Sequence, residues 1–496
     1  MAVVENSVSE VLDRRELRGT LDRLRIELLA QRTKDGHWTG ELSASALSTA
    51  TAISAMSAAV RSGKLADADK AALLEQIQSG RSWLANQQND DGGFGDTDRS
   101  HSNIATSYLV LAAWTLSDQV TGETTDADAI SRLRNWIQFA GELDGLRRRY
   151  GKDKSFVVPI LTNMAIAGLV PWKKVAALPF EAAVVPQSMY RFVGMPVVSY
   201  AVPALVAIGQ VKFLEGGGCL PPWSLVRRAA IEPSMKVLRS MQPSSGGYLE
   251  ATPLTAFVVM SLSASGRADH EVTQNGLRFL RDSMLPDGSW PIDTNLANWA
   301  TSLATTALAM DPDDDRSWST NELIQWQRSC QYQERHPFTG ADPGGWGWTD
   351  LTGSVPDADD TPGAIISLRM QATTRSDLLC DDYSRRWPAS DPSGSISENA
   401  LDTWKACDRG VDWLLGLQNR DGGWPTFCRG WGKLPFDRSS NDLTAHALRA
   451  IACLPKRDSA KRERAVRRGL QFLRKNQQAY GSWLPLWFGN QDRPEA

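Results

Sequence analysis

The stretch RGVDWLLGLQNRDGGW, residues 409–424, contains the pattern that decides the fold. Its apolar residues recur at helical spacing, and the helix is followed by Gln418, a short polar turn and the sequence Gly-Gly-Trp424. The same order of helix, glutamine, polar turn and Gly-x-aromatic recurs along the chain. Full copies end at Phe94, Tyr248 and Trp483, and looser copies end at Trp38, Trp290 and Trp346.

A second helical segment follows each copy, and it is often rich in Ala, Ser, Thr and Leu, as in SALSTATAISAMSAAV and NDLTAHALRAIACL. Repeats of two helices predict an array or a closed ring of helices, and little alternating β pattern is present. Small residues allow helices to approach closely, as the inner layer of a barrel requires. The sequence therefore predicts an all-α fold, in which most of the nineteen Trp residues pack between helices. Periodicity alone leaves an open solenoid and a closed α/α barrel as alternatives.

The composition narrows the classes of function. A chain of 496 residues is long enough for two domains, and a net charge of −3 without a basic block argues against nucleic acid as a partner. The six Cys are scattered without a C-x-x-C motif, which argues against a disulfide framework and fits a reducing compartment. The first residues do not resemble a signal peptide, and no apolar stretch is long enough to span a membrane. Peripheral membrane contact stays open, because residues 156–185 fit either a core helix pair or an apolar plateau beside Lys173 and Lys174.

The stretch VPDADDTPG, residues 355–363, places Asp357, Asp359 and Asp360 within four positions, and we call these three residues the acid cluster. Like charges this close repel one another, so burial would keep one carboxyl protonated at neutral pH and available as a proton donor. The alternative is a helix cap, since acidic residues favour helix N-termini. A second acidic run, Asp311 to Arg316, is predicted to be a solvated loop.

The repeats and the acid cluster together resemble the squalene–hopene cyclases and related class II triterpene cyclases. The resemblance extends from about residue 20 to the C-terminus, and GHWTGEL (36–42) and DLTAHAL (442–448) also look like segments of that family. It implies two α/α barrels, with a large, dry cavity between them. Residues 1–31 and 286–496 would form the catalytic barrel, and residues 32–285 would form the inserted second barrel. The chain ends directly after a repeat, where family members continue, so the catalytic barrel is expected to be incomplete or to close differently.

The resemblance also implies a role for individual residues. Asp359 would be the proton donor, with Asp357 and Asp360 as its neighbours. Asp442 and His446 match an Asp-x-x-x-His element of the family, and His446 would bond to Asp359 and strengthen it as an acid. Aromatic faces stabilise carbocations without acting as bases. The residues that match cavity aromatics of the family are Trp299, Trp348, Phe427 and Trp487. The match is weaker elsewhere, since Thr49 and Thr51 stand where the family tends to have Glu, and Met195 stands about where it has a Trp.

The resemblance therefore implies an isomerase that protonates a polyprene double bond and cyclises squalene or a similar thirty-carbon chain to a hopane-type or partly cyclised triterpene. No metal ion or organic cofactor is implied, because the acid is the protein's own carboxyl group. The protein is expected in the cytoplasm or at the cytoplasmic side of a membrane as a peripheral (monotopic) protein, with a homodimer as one candidate assembly. Two alternatives stay open: a metal-assisted class II cyclase of a prenyl diphosphate, and a non-catalytic helical-repeat binding protein.

Overall fold

The computed structural model describes residues 14–151, 156–186, 189, 202–217, 220–311, 313–337, 339–372, 398–428, 437–454 and 460–486. Within these residues the protein is all-α, as the sequence predicts. Seventeen α-helices and three short 3-10 helices are present, and the β-structure of the described residues consists of isolated bridges.

The first eleven helices contain a closed ring. Their bounds are α1 (Arg14–Ala30), α2 (Ala46–Arg61), α3 (Asp67–Ala85), α4 (Ile104–Thr121), α5 (Ala127–Phe139), α6 (Glu142–Tyr150), α7 (Val157–Ile166), α8 (Val202–Glu215), α9 (Trp223–Met241), α10 (Thr252–Ala264) and α11 (Glu271–Asp282). Helices α2, α4, α7, α8 and α10 contact one another in that order, and α10 returns to α2. Helices α3, α5, α6, α9 and α11 pack outside them. This part of the chain is therefore a closed α/α barrel rather than an open solenoid.

The remaining helices repeat the same two layers. They are α12 (Ala297–Ala309), α13 (Asn321–Ser329), α14 (Asp360–Gln371), α15 (Glu398–Leu417), α16 (Asn441–Ala452) and α17 (Ala460–Asn476). Helices α12, α14 and α16 lie side by side as the inner layer, and α13, α15 and α17 pack against their outer side. Helix α1 joins this second group, because Leu28 and Leu29 pack against Trp38, Leu308 and Trp318. The division of the chain into domains at residues 31 and 286 stays a prediction.

The glutamine of each repeat explains how one helix pair is joined to the next. Gln418 donates from Nε2 to the carbonyl oxygens of Gly422, at 2.8 Å, and Ala465, at 2.9 Å. The bond to Gly422 lies within the glutamine's own turn. The bond to Ala465 pairs a backbone carbonyl of the next outer helix that would otherwise lack a hydrogen-bond partner in the protein. The glutamines that make the same pair of bonds are Gln88, Gln242 and Gln331.

The aromatic residue that ends each repeat is anchored at both its side chain and its backbone. The indole Nε1 of Trp424 donates to the carbonyl of Leu414, ten residues earlier, at 2.8 Å. The backbone N–H of Trp424 donates to Oγ1 of Thr444 on the next inner helix at 3.0 Å. The corresponding backbone bond of Trp290 goes to Thr49. Threonines of the inner helices therefore accept a hydrogen bond from the residue that ends a repeat turn. They also allow the close helix approach that the sequence predicts.

The prediction for the acidic run after α12 is wrong at two of its residues. Asp311 and Asp314 are only 9% and 4% exposed. Arg18 of α1 bonds to Asp311, and Arg25 of α1 pairs with Asp314 at 3.1 Å. Because α1 lies across this loop and brings its arginines to it, two of the carboxylates are buried ion-pair partners rather than solvated groups.

The apolar segment at residues 156–185 was predicted to be either a core helix pair or an exposed apolar plateau, and it contains both buried and exposed apolar residues. Val158, Ile160 and Met164 of α7 are buried in the core, while Val184 and Val185 are 38% and 37% exposed. Within the residues that the structure describes, no helix is both long enough and apolar enough to cross a bilayer.

Candidate active site

The acid cluster is located where an inner helix begins between two repeat turns. The backbone N–H of Asp357 donates to the carbonyl of Trp346 at 3.1 Å, and that of Ala358 donates to the carbonyl of Thr426 at 2.8 Å. Asp359 is the N-cap residue of α14, and Asp360 is its first residue. The helix-cap location and the acid-cluster hypothesis are thus compatible, because the positive end of the helix faces these carboxyl groups.

Asp357 is the most buried residue of the acid cluster. It is 2% exposed, and its Oδ1 accepts the backbone N–H groups of Asp359, at 2.8 Å, and Asp360, at 2.7 Å. Its Oδ2 is buried without a hydrogen-bond partner among the described residues. Burial raises the pKa of Asp357 well above its ordinary value, since a charged carboxylate is poorly stabilised away from water.

Asp360 is also buried, at 4% exposure, and its Oδ1 likewise has no hydrogen-bond partner in the described part of the chain. Burial is the main cause that raises the pKa of Asp360 well above its ordinary value, and the charge of Asp357 adds to it. The charges of Asp359 and Asp293 act in the same direction. The pair of Asp357 and Asp360 therefore resists full ionisation at neutral pH, as the sequence predicts for such a cluster.

Asp359 contacts the predicted histidine. Its Oδ1 lies 3.1 Å from Nδ1 of His446, which is located on α16 next to α14. The two side chains are 39% and 19% exposed. Asp359 is thus more exposed than Asp357 and Asp360. The juxtaposition with His446 is present even though 87 residues separate the two in sequence.

Asp442 is located on the same helix as His446 but has a different partner. It is exposed, and Oγ of Ser440 donates to its carboxylate. Among the described contacts, no hydrogen bond joins Asp442 to His446 or to the acid cluster. The structure therefore brings together Asp357, Asp359, Asp360 and His446, and it leaves Asp442 at the edge of this group.

Three of the four predicted cavity aromatics form one group beside the acid cluster. We call this group the aromatic cluster, and its members are Leu249, Leu296, Trp299, Trp348, Val355 and Phe427. The rings of Trp348 and Phe427 meet edge to face, with centroids 6.0 Å apart. Phe427 also forms a β-bridge with Asp357, which links the two clusters directly. Trp487 lies outside the described residues.

The structure shows two further carboxyls that the sequence analysis missed, the buried Glu250 and the half-buried Asp293. Burial raises the pKa of both Glu250 and Asp293 to about 7. Each follows the aromatic of a repeat turn, Glu250 two residues after Tyr248 and Asp293 three residues after Trp290. That position relative to the repeat is the one signal in the sequence that marks them. Within the described residues, no group of three or more His, Cys, Asp or Glu is arranged to hold a metal ion.

Residues 21–208 match the model of the squalene-hopene cyclase N-terminal domain, and residues 395–491 match that of the squalene-hopene cyclase C-terminal domain. Together the two models cover more than half of the chain.

The individual relatives share about a quarter of the aligned residues with this chain. A probable squalene–hopene cyclase of Sinorhizobium fredii is 25% identical over 531 residues, which cover 93% of this chain and 74% of that protein. Enfumafungin synthase efuA of Hormonema carpetanum is 24% identical over 498 residues, which cover 82% of this chain and 34% of that protein. The chain thus spans about a third of the length of the synthase. Among solved structures, ent-copalyl diphosphate synthase from Streptomyces platensis aligns over 93% of both chains, with 13% identity and a TM-score of 0.37.

Proposed function

The chain belongs to the squalene–hopene cyclase family of class II terpene cyclases, and we propose that it protonates a terminal double bond of a polyprene and cyclises the resulting cation. We propose squalene or a similar thirty-carbon chain as the substrate, and a hopane-type or partly cyclised triterpene as the product. The observation that carries this proposal is the contact of Asp359 with His446 at 3.1 Å, directly beside the aromatic cluster.

Proton transfer is assigned to Asp359. The π electrons of the alkene form a new C–H bond with the carboxyl proton, the O–H bond breaks, and its electron pair stays on Asp359 as a carboxylate. A protonated His446 would hydrogen bond to this carboxylate and favour its formation. Asp357 and Asp360 are the buried carboxyls next to Asp359 in the acid cluster, and their raised pKa values limit the negative charge of the cluster. The imidazole thus helps Asp359 to release the proton.

Cation stabilisation is assigned to the aromatic cluster. Alkene protonation leaves a positive charge on carbon, and each ring closure moves that charge along the chain. The faces of Trp299, Trp348 and Phe427 attract a cation through their π electrons, and their carbon frameworks offer no strong base to remove a proton early. Their position next to Asp357, through the bridge to Phe427, fits a cation that forms at the acid and then moves away from it.

Replacement of Trp299 by alanine is expected to shift the products towards early-terminated rings. The variant removes one aromatic face from the cluster, so the cation would lose a proton sooner, and mass analysis of extracted lipids would show a larger share of partly cyclised products. Trp404→Ala is the matched control, because Trp404 is also half-buried but lies on the outer helix α15. An unaltered product distribution in Trp299→Ala, equal to that of the control, would contradict a role of Trp299 in stabilising the cation.

The substrate class is tested by two parallel incubations. One supplies squalene without Mg²⁺, and the other supplies geranylgeranyl diphosphate with Mg²⁺. We expect cyclised hydrocarbon in the first. Cyclised diphosphate only in the second would favour the metal-assisted alternative, and unchanged lipid in both would favour a non-catalytic binding protein.

Peripheral membrane contact is a second part of the proposal, because a hydrocarbon substrate dissolves in the bilayer. Large apolar side chains are exposed around the C-terminal end of α8 and the start of α9. They are Leu214, Leu220, Trp223, Leu225 and Val226, with exposed fractions of 41%, 85%, 52%, 66% and 46%. The 3-10 helix Phe180–Val184 packs against both helices and adds Val184 to this apolar surface. Exposed apolar surface of this kind is typical of contact with lipid or with another protein.

Replacement of Trp223 and Leu225 by glutamate together is expected to lower binding to phosphatidylcholine–phosphatidylglycerol vesicles by about fivefold or more, because two exposed apolar side chains that would enter the bilayer are exchanged for charges. Co-sedimentation measures the bound fraction. Phe139→Glu is the control, since Phe139 is 90% exposed on α5, away from this surface. Equal binding of the double variant and the control would show that this surface does not contact the bilayer.

A further inference from the structure

The segment that follows Tyr248 has an unusual backbone. Leu249 and Glu250 have φ angles of +58° and +52°, so two successive residues with side chains adopt the left-handed region. Each such residue costs about 1 kcal/mol or more, and such strain persists only where surrounding contacts fix it. The contacts of these two residues therefore explain why the strained turn is retained.

The carboxyl group of Glu250 is held beneath the loop at residues 349–355, which leads into Asp357. Glu250 is 1% exposed, and Oγ of Ser245 donates to its Oε1 at 3.0 Å. The backbone N–H of Gly353 also donates to this carboxyl. A Cβ at position 353 would lie only 2.4 Å from Oε1, so any larger residue there would displace the carboxyl or the loop. The second oxygen, Oε2, is buried without a hydrogen-bond partner among the described residues.

The backbone of the same turn reaches two other parts of the site. The carbonyl of Glu250 accepts the N–H and the Oγ1 hydroxyl of Thr294, each at 3.1 Å. Thr294 belongs to the segment that leads into α12 and Trp299. The side chain of Leu249 is a member of the aromatic cluster. One strained turn of the first barrel thus contacts the loop before the acid cluster, the segment before Trp299 and the aromatic cluster itself.

We propose that Glu250 is a positioning residue, which fixes the 349–355 loop so that the acid cluster and the aromatic cluster keep their mutual geometry. This inference rests on the proposed cyclase function, in which that geometry matters. Glu250 does not touch the proposed reacting atoms and acts through Gly353 and Leu249.

The protonation state of Glu250 follows from its surroundings. The titratable groups nearby are Asp350 on the loop, Asp293 on the segment paired with Ala251, and His336, which lines the same narrow cleft as Leu249 and Gly353. Burial and, to a smaller extent, the charge of Asp350 raise the pKa of Glu250, and burial lowers that of His336, so neither group supplies a charge that would stabilise an ionised Glu250. Ionisation would place a negative charge on a carboxyl whose Oε2 is buried without a hydrogen-bond partner among the described residues, and this costs free energy.

The experiment compares Glu250→Gln, which keeps a neutral group of the same shape, with Glu250→Ala, which removes it. We expect Glu250→Gln to retain kcat within about twofold, and Glu250→Ala to lower kcat by about tenfold or more with little change in KM. Circular dichroism at the assay temperature establishes that both variants are folded. Equal kcat values for the two variants would overturn the proposal.

A second measurement tests the contact without any need for cyclase activity. The raised pKa means that this group stabilises the fold below about pH 4.5 and that its contribution is lost as pH rises to about 7. This contribution is absent in Glu250→Gln. Between about pH 4.5 and 7, the equilibrium constant for unfolding of the variant should therefore rise less steeply with pH than that of the parent protein, by a factor of up to about ten per pH unit. Glu142→Gln is the matched control, because Glu142 also has a positive φ of +49° but is exposed. An unchanged slope in Glu250→Gln would overturn the proposal.

A double-mutant cycle with Gly353→Ala completes the test. The added methyl group should be far less damaging to stability when Glu250→Ala has removed the oxygen that it meets. Additive effects would show that the two residues do not act on each other. If the protein cyclises no substrate at all, the pH slope and this cycle still decide the contact, so failure of the proposed function and failure of this inference are distinguishable.

Discussion

Replacement of Asp359 by asparagine is expected to lower cyclisation by about a thousandfold or more while it leaves the fold intact. The amide has the same shape as the carboxyl group but cannot release a proton to an alkene. The structural cost is small, because the Asp359 side chain is 39% exposed and its replacement can still hydrogen bond to His446. Product analysis by mass spectrometry measures the loss, and thermal unfolding shows that the fold is unchanged.

Asp412→Asn is the control for this variant, since Asp412 is an exposed aspartate of the outer helix α15. It should cyclise as well as the parent protein. If Asp359→Asn kept near-parental product formation, another group would supply the proton, and the assignment of Asp359 would be wrong.

Replacement of Trp346 by alanine is expected to destabilise the protein by about 3–5 kcal/mol, the range for a large aromatic removed from a core. Trp346 is 0% exposed, and its Nε1 donates to the carbonyl of Gln327 at 2.8 Å. Its backbone carbonyl accepts the N–H of Asp357, so the same residue packs the inner layer and locates the acid cluster. Urea unfolding followed by circular dichroism gives the free energy of unfolding.

Trp483→Ala provides a matched comparison for this prediction. Trp483 occupies the same place in its repeat and donates from Nε1 to the carbonyl of Leu473 at 2.8 Å, but it is 43% exposed. Trp483→Ala should lower the free energy of unfolding by less than half as much as Trp346→Ala, because less buried apolar surface is lost. Equal losses for the two variants would show that the indole hydrogen bond, rather than burial, provides the stability.

The repeat pattern predicted the architecture because its residues form local bonds that the sequence spacing already determines. Gln418 and Trp424 bind groups within their own turn and helix, and this geometry recurs wherever the pattern recurs. The resemblance also indicated the contact of His446 with Asp359 and the gathering of Trp299, Trp348 and Phe427. The structure shows both, whereas the roles of these residues stay proposals.

The features that the sequence did not reveal arise from contacts between segments that are far apart in the chain. Asp311 and Asp314 were predicted to be solvated, because nothing in their own stretch indicates that α1 crosses them with Arg18 and Arg25. Glu250 reads as an ordinary surface glutamate after a turn. Its burial arises only when the loop that contains Gly353, about a hundred residues later, closes over it. Burial of a charged group by a remote loop leaves no periodic signal in the sequence.

The most direct test of the central claim is cyclisation of squalene in deuterium oxide. If an acid of the protein protonates the terminal alkene, its exchangeable proton is replaced by deuterium, and each cyclised molecule should be one mass unit heavier at the carbon that was protonated. We expect this label in the product of the parent protein, and no labelled product from Asp359→Asn. A cyclised product without deuterium, or equal amounts of labelled product from both proteins, would contradict the claim that Asp359 donates the proton.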